Sequence, residues 1–187
     1  MQIIGGRFRG KKLLQVTDDT TRSTTCRVRE NIFNLISANV RGSRILDLFS
    51  GCGAFSCESI SRGANSIVAN DNCIKAYSIT KKNLESIHAT NTQVFNLDYQ
   101  DLIRKKQSET FDIIFLDPPY NGEFGEHAIH LITKYKMLNK NGIIVFETNK
   151  DIAQDSDLFN GFDVRIKKYG IARVHLLTPQ PDLPPMQ

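Results

Sequence analysis

The sequence predicts an α/β fold: a mostly parallel β-sheet covered by helices on both faces, ending in an antiparallel C-terminal hairpin, with a small N-terminal β-hairpin added. Three observations predict it. From residue 44 onward, short apolar runs alternate with helical stretches, the order that builds a parallel sheet between two helical layers. A glycine turn, Gly51-Cys52-Gly53, follows the first apolar run and opens a helix. The last two apolar runs, 162–169 and 172–178, are separated only by a turn around Gly170, so they can pair only as an antiparallel hairpin.

Residues 2–14 place Gly5-Gly6 and Gly10 between short β-compatible pieces, which suggests the N-terminal hairpin. Residues 21–25 are polar and helix-breaking, and 26–38 have helical periodicity with Val28, Ile32, Leu35 and Ile36 as the apolar stripe. Strands are expected at 44–50, 66–71, 92–98, 111–116 and 143–147. Helices are expected at 54–62, from 72 to about 88, at 99–106 and at 125–135, with Gly63 ending the first of these. This organisation divides the chain into a basic extension at 1–20, a main domain at 21–179 and a flexible proline-rich tail at 180–187. With 187 residues, 40% of them hydrophobic, one domain can bury a substantial core.

Composition removes several function classes. No apolar run approaches the roughly 20 residues that span a bilayer, and residues 1–6 lack the apolar stretch of a secretory signal. A cytoplasmic monomer without membrane contact is the expectation. The cysteines, Cys26, Cys52, Cys57 and Cys73, form no CxxC pair. Cys52 and Cys57 read as small packing residues, and His127 and His130 as a solvated pair on one helical face, so no metal is expected. Charge is uneven. Residues 1–44 hold nine basic side chains against three acidic ones, in a chain whose net charge is only +4. Such asymmetry points to a polyanion-binding segment.

The chemistry gathers at strand ends. Asp47-Leu48-Phe49-Ser50-Gly51-Cys52-Gly53 leads from a strand into a helix, and Gly51 and Gly53 let the backbone pass close to a ligand. The third glycine of a dinucleotide fingerprint would fall at Ser56, so that fingerprint is incomplete. A carboxylate at Asp47 would repel a pyrophosphate but suits an ammonium or sulfonium cation. Asp71 ends the second strand, where a carboxylate can accept ribose hydroxyls or cap the next helix. Asp98 ends the third, where it can accept from an adenine amino group or simply form a turn.

Asp117-Pro118-Pro119-Tyr120, after the strongly apolar fourth strand, is the most specific signal. Each proline lacks an N–H, so nearby carbonyls are free to face a ligand. An aromatic amine is a poor nucleophile because its lone pair is delocalised into the ring. Asp117 and the Pro118 carbonyl can accept its two N–H bonds, draw the lone pair out of the ring plane and aim it at a methyl group. Tyr120 offers a face on which an extruded base can stack. The reaction so described is methyl transfer from S-adenosylmethionine to an amino nitrogen, releasing S-adenosylhomocysteine, with positioning supplying most of the rate.

On these residues the chain resembles the RsmD family, bacterial methyltransferases that modify a guanine N2 in small-subunit ribosomal RNA. The resemblance runs from Ile3 to about Thr178. It rests on Ile3-Ile4-Gly5-Gly6 with Arg9-Gly10, on Arg22-Ser23-Thr24-Thr25 with Arg27-Val28-Arg29-Glu30 and Phe33-Asn34, and on 47–54, Ser61-Arg62-Gly63-Ala64, Asn83-Leu84 and 111–120. It implies a class I, Rossmann-like methyltransferase sheet. Asp47, Phe49, Gly51, Gly53, Asp71 and Asp98 would hold the methyl donor, while Asp117, Pro118 and Tyr120 would meet the target amine. Arg7, Arg9, Lys11, Lys12, Arg22, Thr24, Arg27 and Arg29 would hold RNA. The implied partner is 16S rRNA or the small ribosomal subunit. Ser23, Cys26 and Asp71 stand where the family commonly has Pro, Asp and Glu. Rival readings are a DNA adenine-N6 or protein glutamine-N5 methyltransferase, and, from another class, a nicotinamide-dependent dehydrogenase. Asp rather than Asn at 117 leans against the glutamine enzymes, and the incomplete glycine fingerprint against the dehydrogenase.

Overall fold

A computed structural model describes residues 1–16, 26–120 and 122–181. Seven strands form one sheet in the order β3-β2-β1-β4-β5-β7-β6. The strands are β1 (Arg44–Asp47), β2 (Ser66–Asn70), β3 (Thr92–Phe95), β4 (Phe111–Leu116), β5 (Leu138–Thr148), β6 (Phe162–Tyr169) and β7 (Ala172–Pro179). The first five pair in parallel. The last two form the expected antiparallel hairpin, and β7 joins β5. Because the order reverses at β1, its neighbours β2 and β4 leave a crevice beyond their carboxyl ends, the usual ligand position in such sheets.

Alternation along the central strands explains the two layers. Ile113 and Phe115 on β4 face one core, and Ile114 and Leu116 face the other. The first core is closed by α1 (Cys26–Leu35), α2 (Ser37–Val40) and α3 (Ala54–Ser61), the second by α5 (Tyr99–Lys106) and α6 (Phe124–Lys134). The thirteen-residue helix α4 (Ile74–Ser86) packs beside α3 and β3. Gly63 ends α3 as expected: it takes φ +94°, its N–H donates to the Ile60 carbonyl, and Ala64 N–H donates to Ser59.

Several elements differ from expectation. The helix expected at 26–38 stops at Leu35 and restarts at Ser37. Leu35 is exposed and Phe33 is buried in its place, its ring tilted against Phe115 with centroids 5.7 Å apart. Strand β5 begins five residues early, at Leu138, with a register shift against β4. The N-terminal hairpin is reduced to a single antiparallel bridge, Gln2 to Lys12, around a run of turns. The polar stretch at 21–25 and tail residues 182–187 lie outside the described residues.

That N-terminal segment does not hang free. Ile3 and Leu13 are buried with Cys57, Leu84 and Ile87 from α3 and the end of α4. Much of its backbone is held by α3: Ile4 and Gly5 N–H groups donate to the Glu58 carboxylate at 2.8 Å each, and Arg7 N–H donates to the Ser61 carbonyl. Gly6 takes φ +75° and lies so close to Ser61 that a Cβ there would overlap its carbonyl. Only glycine permits that approach.

Candidate active site

The strand ends open into a cavity of about 600 Å³ at the carboxyl edge of the sheet, a size ordinary for a small-molecule site. Phe49, Ser50 and Gly51 line it after β1, Asp71 after β2, Asp98 and Tyr99 at the start of α5, and Asp117 and Pro119 after β4. Four segments far apart in sequence therefore meet in one place because parallel strands deliver their ends to one edge.

Each acidic residue also has a local structural task. Asp71 accepts from Gly51 N–H at 2.8 Å and from Cys73 N–H at 2.9 Å. It fixes the glycine turn and the entry to α4 while remaining half-buried against the cavity. Burial pushes its carboxyl above the usual range, and the two backbone donors pull it back. Asp98 is the N-cap of α5, accepting from Gln100 N–H at 2.8 Å. Both residues keep unused lone pairs, so capping and ligand binding are compatible.

Asp47 and Gly53 do not line the cavity, contrary to the expectation for them. Asp47 is buried behind the glycine turn and accepts from the Ser56 hydroxyl at 2.6 Å. Its carboxyl is pushed up to about 7, chiefly by burial. Ser56, standing where a dinucleotide fingerprint would have glycine, is thus its partner. A Cβ at Gly53 would sit 2.9 Å from Thr80, so this glycine serves the close packing of α3 on α4. Gly51 is the ligand-facing glycine: it lines the cavity, and a Cβ there would meet nothing within 4 Å.

Tyr120 is turned toward β5, where its hydroxyl donates to Glu147 at 3.0 Å. Pro118 is buried and Pro119 exposed, so the Asp-Pro-Pro-Tyr turn is pinned at both ends, by β4 and by Glu147. The rings of Phe49, Tyr99 and Phe124 line the cavity. Tyr99 lies 5.4 Å from Phe49 and 6.1 Å from Phe124, and its hydroxyl meets His127 Nδ1 at 2.7 Å. His127 is therefore engaged with the cavity wall rather than merely solvated with His130.

Among the RNA-facing expectations, Arg7, Arg9, Lys11, Lys12 and Arg27 are exposed. Arg22 and Thr24 lie outside the described residues. Arg29 is a correction. It is fully buried, donates to the Gln2 carbonyl at 2.6 Å and lies 3.9 Å from Glu58, so it ties α1 to the N-terminal segment and cannot reach RNA.

Sequence reasoning missed the contribution of Met1, Gln15 and Val16 to the cavity wall. It also missed Asn83, which exchanges two hydrogen bonds with the Leu14 backbone and donates to the Cys52 carbonyl. One side chain thereby joins the N-terminal segment to the glycine turn. The signal for Glu58 was present as an i, i+4 pair with Arg62, 2.7 Å in the structure.

These residues suit S-adenosylmethionine. The bare backbone at Gly51 leaves room for a ligand against the turn, Asp71 and Asp98 offer acceptors for hydroxyl and amino groups, and the rings around Tyr99 offer apolar faces. Comparison with known proteins agrees. Residues 1–178 match the family model described as conserved hypothetical protein 95. Ribosomal RNA small subunit methyltransferase D of Haemophilus influenzae is 33% identical over 154 residues, 81% of this chain and 80% of that protein. The protein of the same name from Escherichia coli is 32% identical over 150 residues, 79% and 74% of the two chains. The solved structure of yhhF from Escherichia coli superposes with a TM-score of 0.82 at 27% identity, covering 96% of this chain and 98% of that one. The T. thermophilus 16S rRNA N2 methyltransferase RsmC, in complex with AdoMet and guanosine, shares the fold at a TM-score of 0.71 and 19% identity, over 87% of this chain and 45% of that one. The chain belongs to the RsmD family of S-adenosylmethionine-dependent methyltransferases.

Proposed function

We propose that this protein methylates the exocyclic N2 amine of a guanine in 16S rRNA, in an assembled or assembling small ribosomal subunit in the cytoplasm. The observation that carries the reading is Asp117 on the wall of the cavity that Gly51, Asp71 and Asp98 also line. An amine acceptor thus stands beside a donor-sized site, and the relatives named for small-subunit rRNA support the substrate.

S-adenosylmethionine supplies the methyl group as part of a sulfonium. Asp71 and Asp98 would hold its hydroxyl and amino groups, and the Gly51 turn would admit it close to the backbone. Asp117 and the Pro118 carbonyl accept the two N–H bonds of the target amine and set its lone pair in line with the methyl group. Asp117 orients rather than deprotonates, because the amine becomes acidic only as its bond to the methyl forms. Tyr120, held by Glu147, would bound the base on one side. Asp71, Asp98 and Asp117 fix three points of one approach, and such positioning supplies most of the rate.

The test is transfer from labelled methyl donor to naked small-subunit rRNA and to assembled subunits, followed by nucleoside analysis. N2-methylguanine is the expected product. Label found only in DNA or in protein would refute the reading.

A further inference from the structure

The folded chain brings Lys168 and Tyr169, from a C-terminal hairpin that carries no obvious nucleic-acid signal, to the catalytic edge beside Arg27. Thr148 pairs with Arg173, and Tyr169 with Ala172. The β6–β7 turn therefore lies at the same edge of the sheet as Asp117. Between this turn and the first turns of α1 runs a groove of about 410 Å³, lined by Arg27, Val28, Asn31, Lys168, Tyr169 and Gly170. Tyr169 is half-buried, and Ile171 at the turn tip is 53% exposed.

We propose that this groove is a second RNA-contact surface, in which Arg27 and Lys168 meet phosphates and Tyr169 stacks on an unpaired base flanking the target. The proposal rests on the rRNA reading above and adds where the strand runs. Charge supports it. Asp151 sits 3.4 Å from both Lys168 and Arg173, and Glu30 lies one helical turn beyond Arg27. One carboxylate shared by two cations, in exposed pairs of small worth, leaves Lys168 available to a polyanion. Arg173 also donates to the Gly170 carbonyl at 2.9 Å, which holds the turn in shape.

Position supports it as well. The basic N-terminal segment docks on α3 and α4, beside the β1–β3 half of the sheet. The groove lies at the β7–β6 end, and β4 with its Asp117 lies between them. An RNA strand contacting both flanks would run along the sheet edge that also carries Asp117. The plainer role for lysines on β6, guarding an exposed edge strand against pairing, accounts for neither Arg27 on a separate helix nor the Tyr169 ring that shares the groove with both charges. Basic groups interleaved with an aromatic face are what single-stranded nucleic acid binds.

The experiment compares Arg27→Ala, Lys168→Ala, Tyr169→Ala and Tyr169→Phe with the wild-type chain. It measures binding to naked small-subunit rRNA across a salt series, with methyl-donor binding as the check on folding. Tyr169→Ala should weaken RNA binding roughly tenfold and Tyr169→Phe should retain it, since the ring carries the contact. Arg27→Ala and Lys168→Ala should each flatten the logarithmic salt dependence by about 0.7. The proposal is overturned if these variants bind naked rRNA like the wild type while Arg7→Glu does not. It is equally overturned if they weaken binding only to assembled subunits, which would make the groove's partner a protein. Failure of the wild-type chain to methylate rRNA would instead overturn the underlying reading.

Discussion

At the carboxyl edge of the sheet, Asp71 and Asp98 accept backbone N–H groups with the same carboxylates that line the cavity. In the basic N-terminal region the charges divide instead. Arg7 and Arg9 stand in solvent, while Arg29 is sealed beside Glu58. The acidic residues combine structural and ligand-facing work in single side chains, because a strand end is both a helix entrance and a pocket wall. The basic residues separate the two, because an arginine long enough to reach a polyanion must leave the core, and one that secures the core cannot reach out. Two residues apart in α1, the contrast appears within one turn: Arg27 is exposed and Arg29 has no surface.

The comparison can be broken most severely at Glu58. Glu58→Ala leaves Arg29 buried without a counter-charge and releases the Ile4 and Gly5 amides, so it should cost about 3–5 kcal/mol of stability in urea unfolding. An unchanged midpoint would show that the buried pair does not hold the N-terminal segment. Next in size is Asp117→Ala, expected to slow methyl transfer roughly a hundredfold, as loss of correct positioning does, with donor binding by calorimetry unaltered. Activity near that of the wild type would remove Asp117 from its assigned role. On the basic side, Arg7→Ala and Arg9→Ala should each reduce the logarithmic salt slope of RNA binding by about 0.7 without moving the unfolding midpoint. A change in stability instead of slope would erase the distinction from Arg29.

The smallest effects concern pH, and two buried groups act with opposite sign. His175 lies between Phe146 and Phe159, and burial holds its imidazole below the ordinary 6.5. The unfolded chain then binds the proton more readily, so this contribution is full above 6.5 and fades as pH falls below it. Acid sensitivity of the melting temperature should shrink in His175→Phe. Asp47 is raised from 3.8 to about 7. Its contribution is full below 3.8 and is lost as pH rises through 7, so the stability of Asp47→Asn relative to the wild type should improve as pH climbs through that value. A constant difference between the two proteins across the range would exclude this ionisation.

Much of the fold was legible in the chain because strand and helix periods are local. The β4 run Phe111–Leu116 and the β6 run Phe162–Tyr169 appear with their expected bounds, and the turn at Gly170 predicted the antiparallel pairing of β6 with β7. What stayed hidden depends on partners distant in sequence. Leu35 and Phe33 are both apolar and lie on opposite faces of α1, so only the packing of Phe33 against Phe115 decides which one is buried. The motif around Asp47 indicated a glycine turn, but not which glycine meets a ligand. That depends on Thr80, 27 positions beyond Gly53. Arg29 reads as one more basic residue until Glu58 is found opposite it.

The attachment of the N-terminal segment to α3 runs mostly through main-chain groups: Ile4, Gly5 and Arg7 amides on Glu58 and Ser61, and a glycine at the closest approach. Because the socket grips the backbone, the outward side chains at 7, 9, 11 and 12 are independent of the grip. They form a surface that can be rewritten, for another nucleic acid or another charge pattern, without rebuilding the catalytic body beneath it.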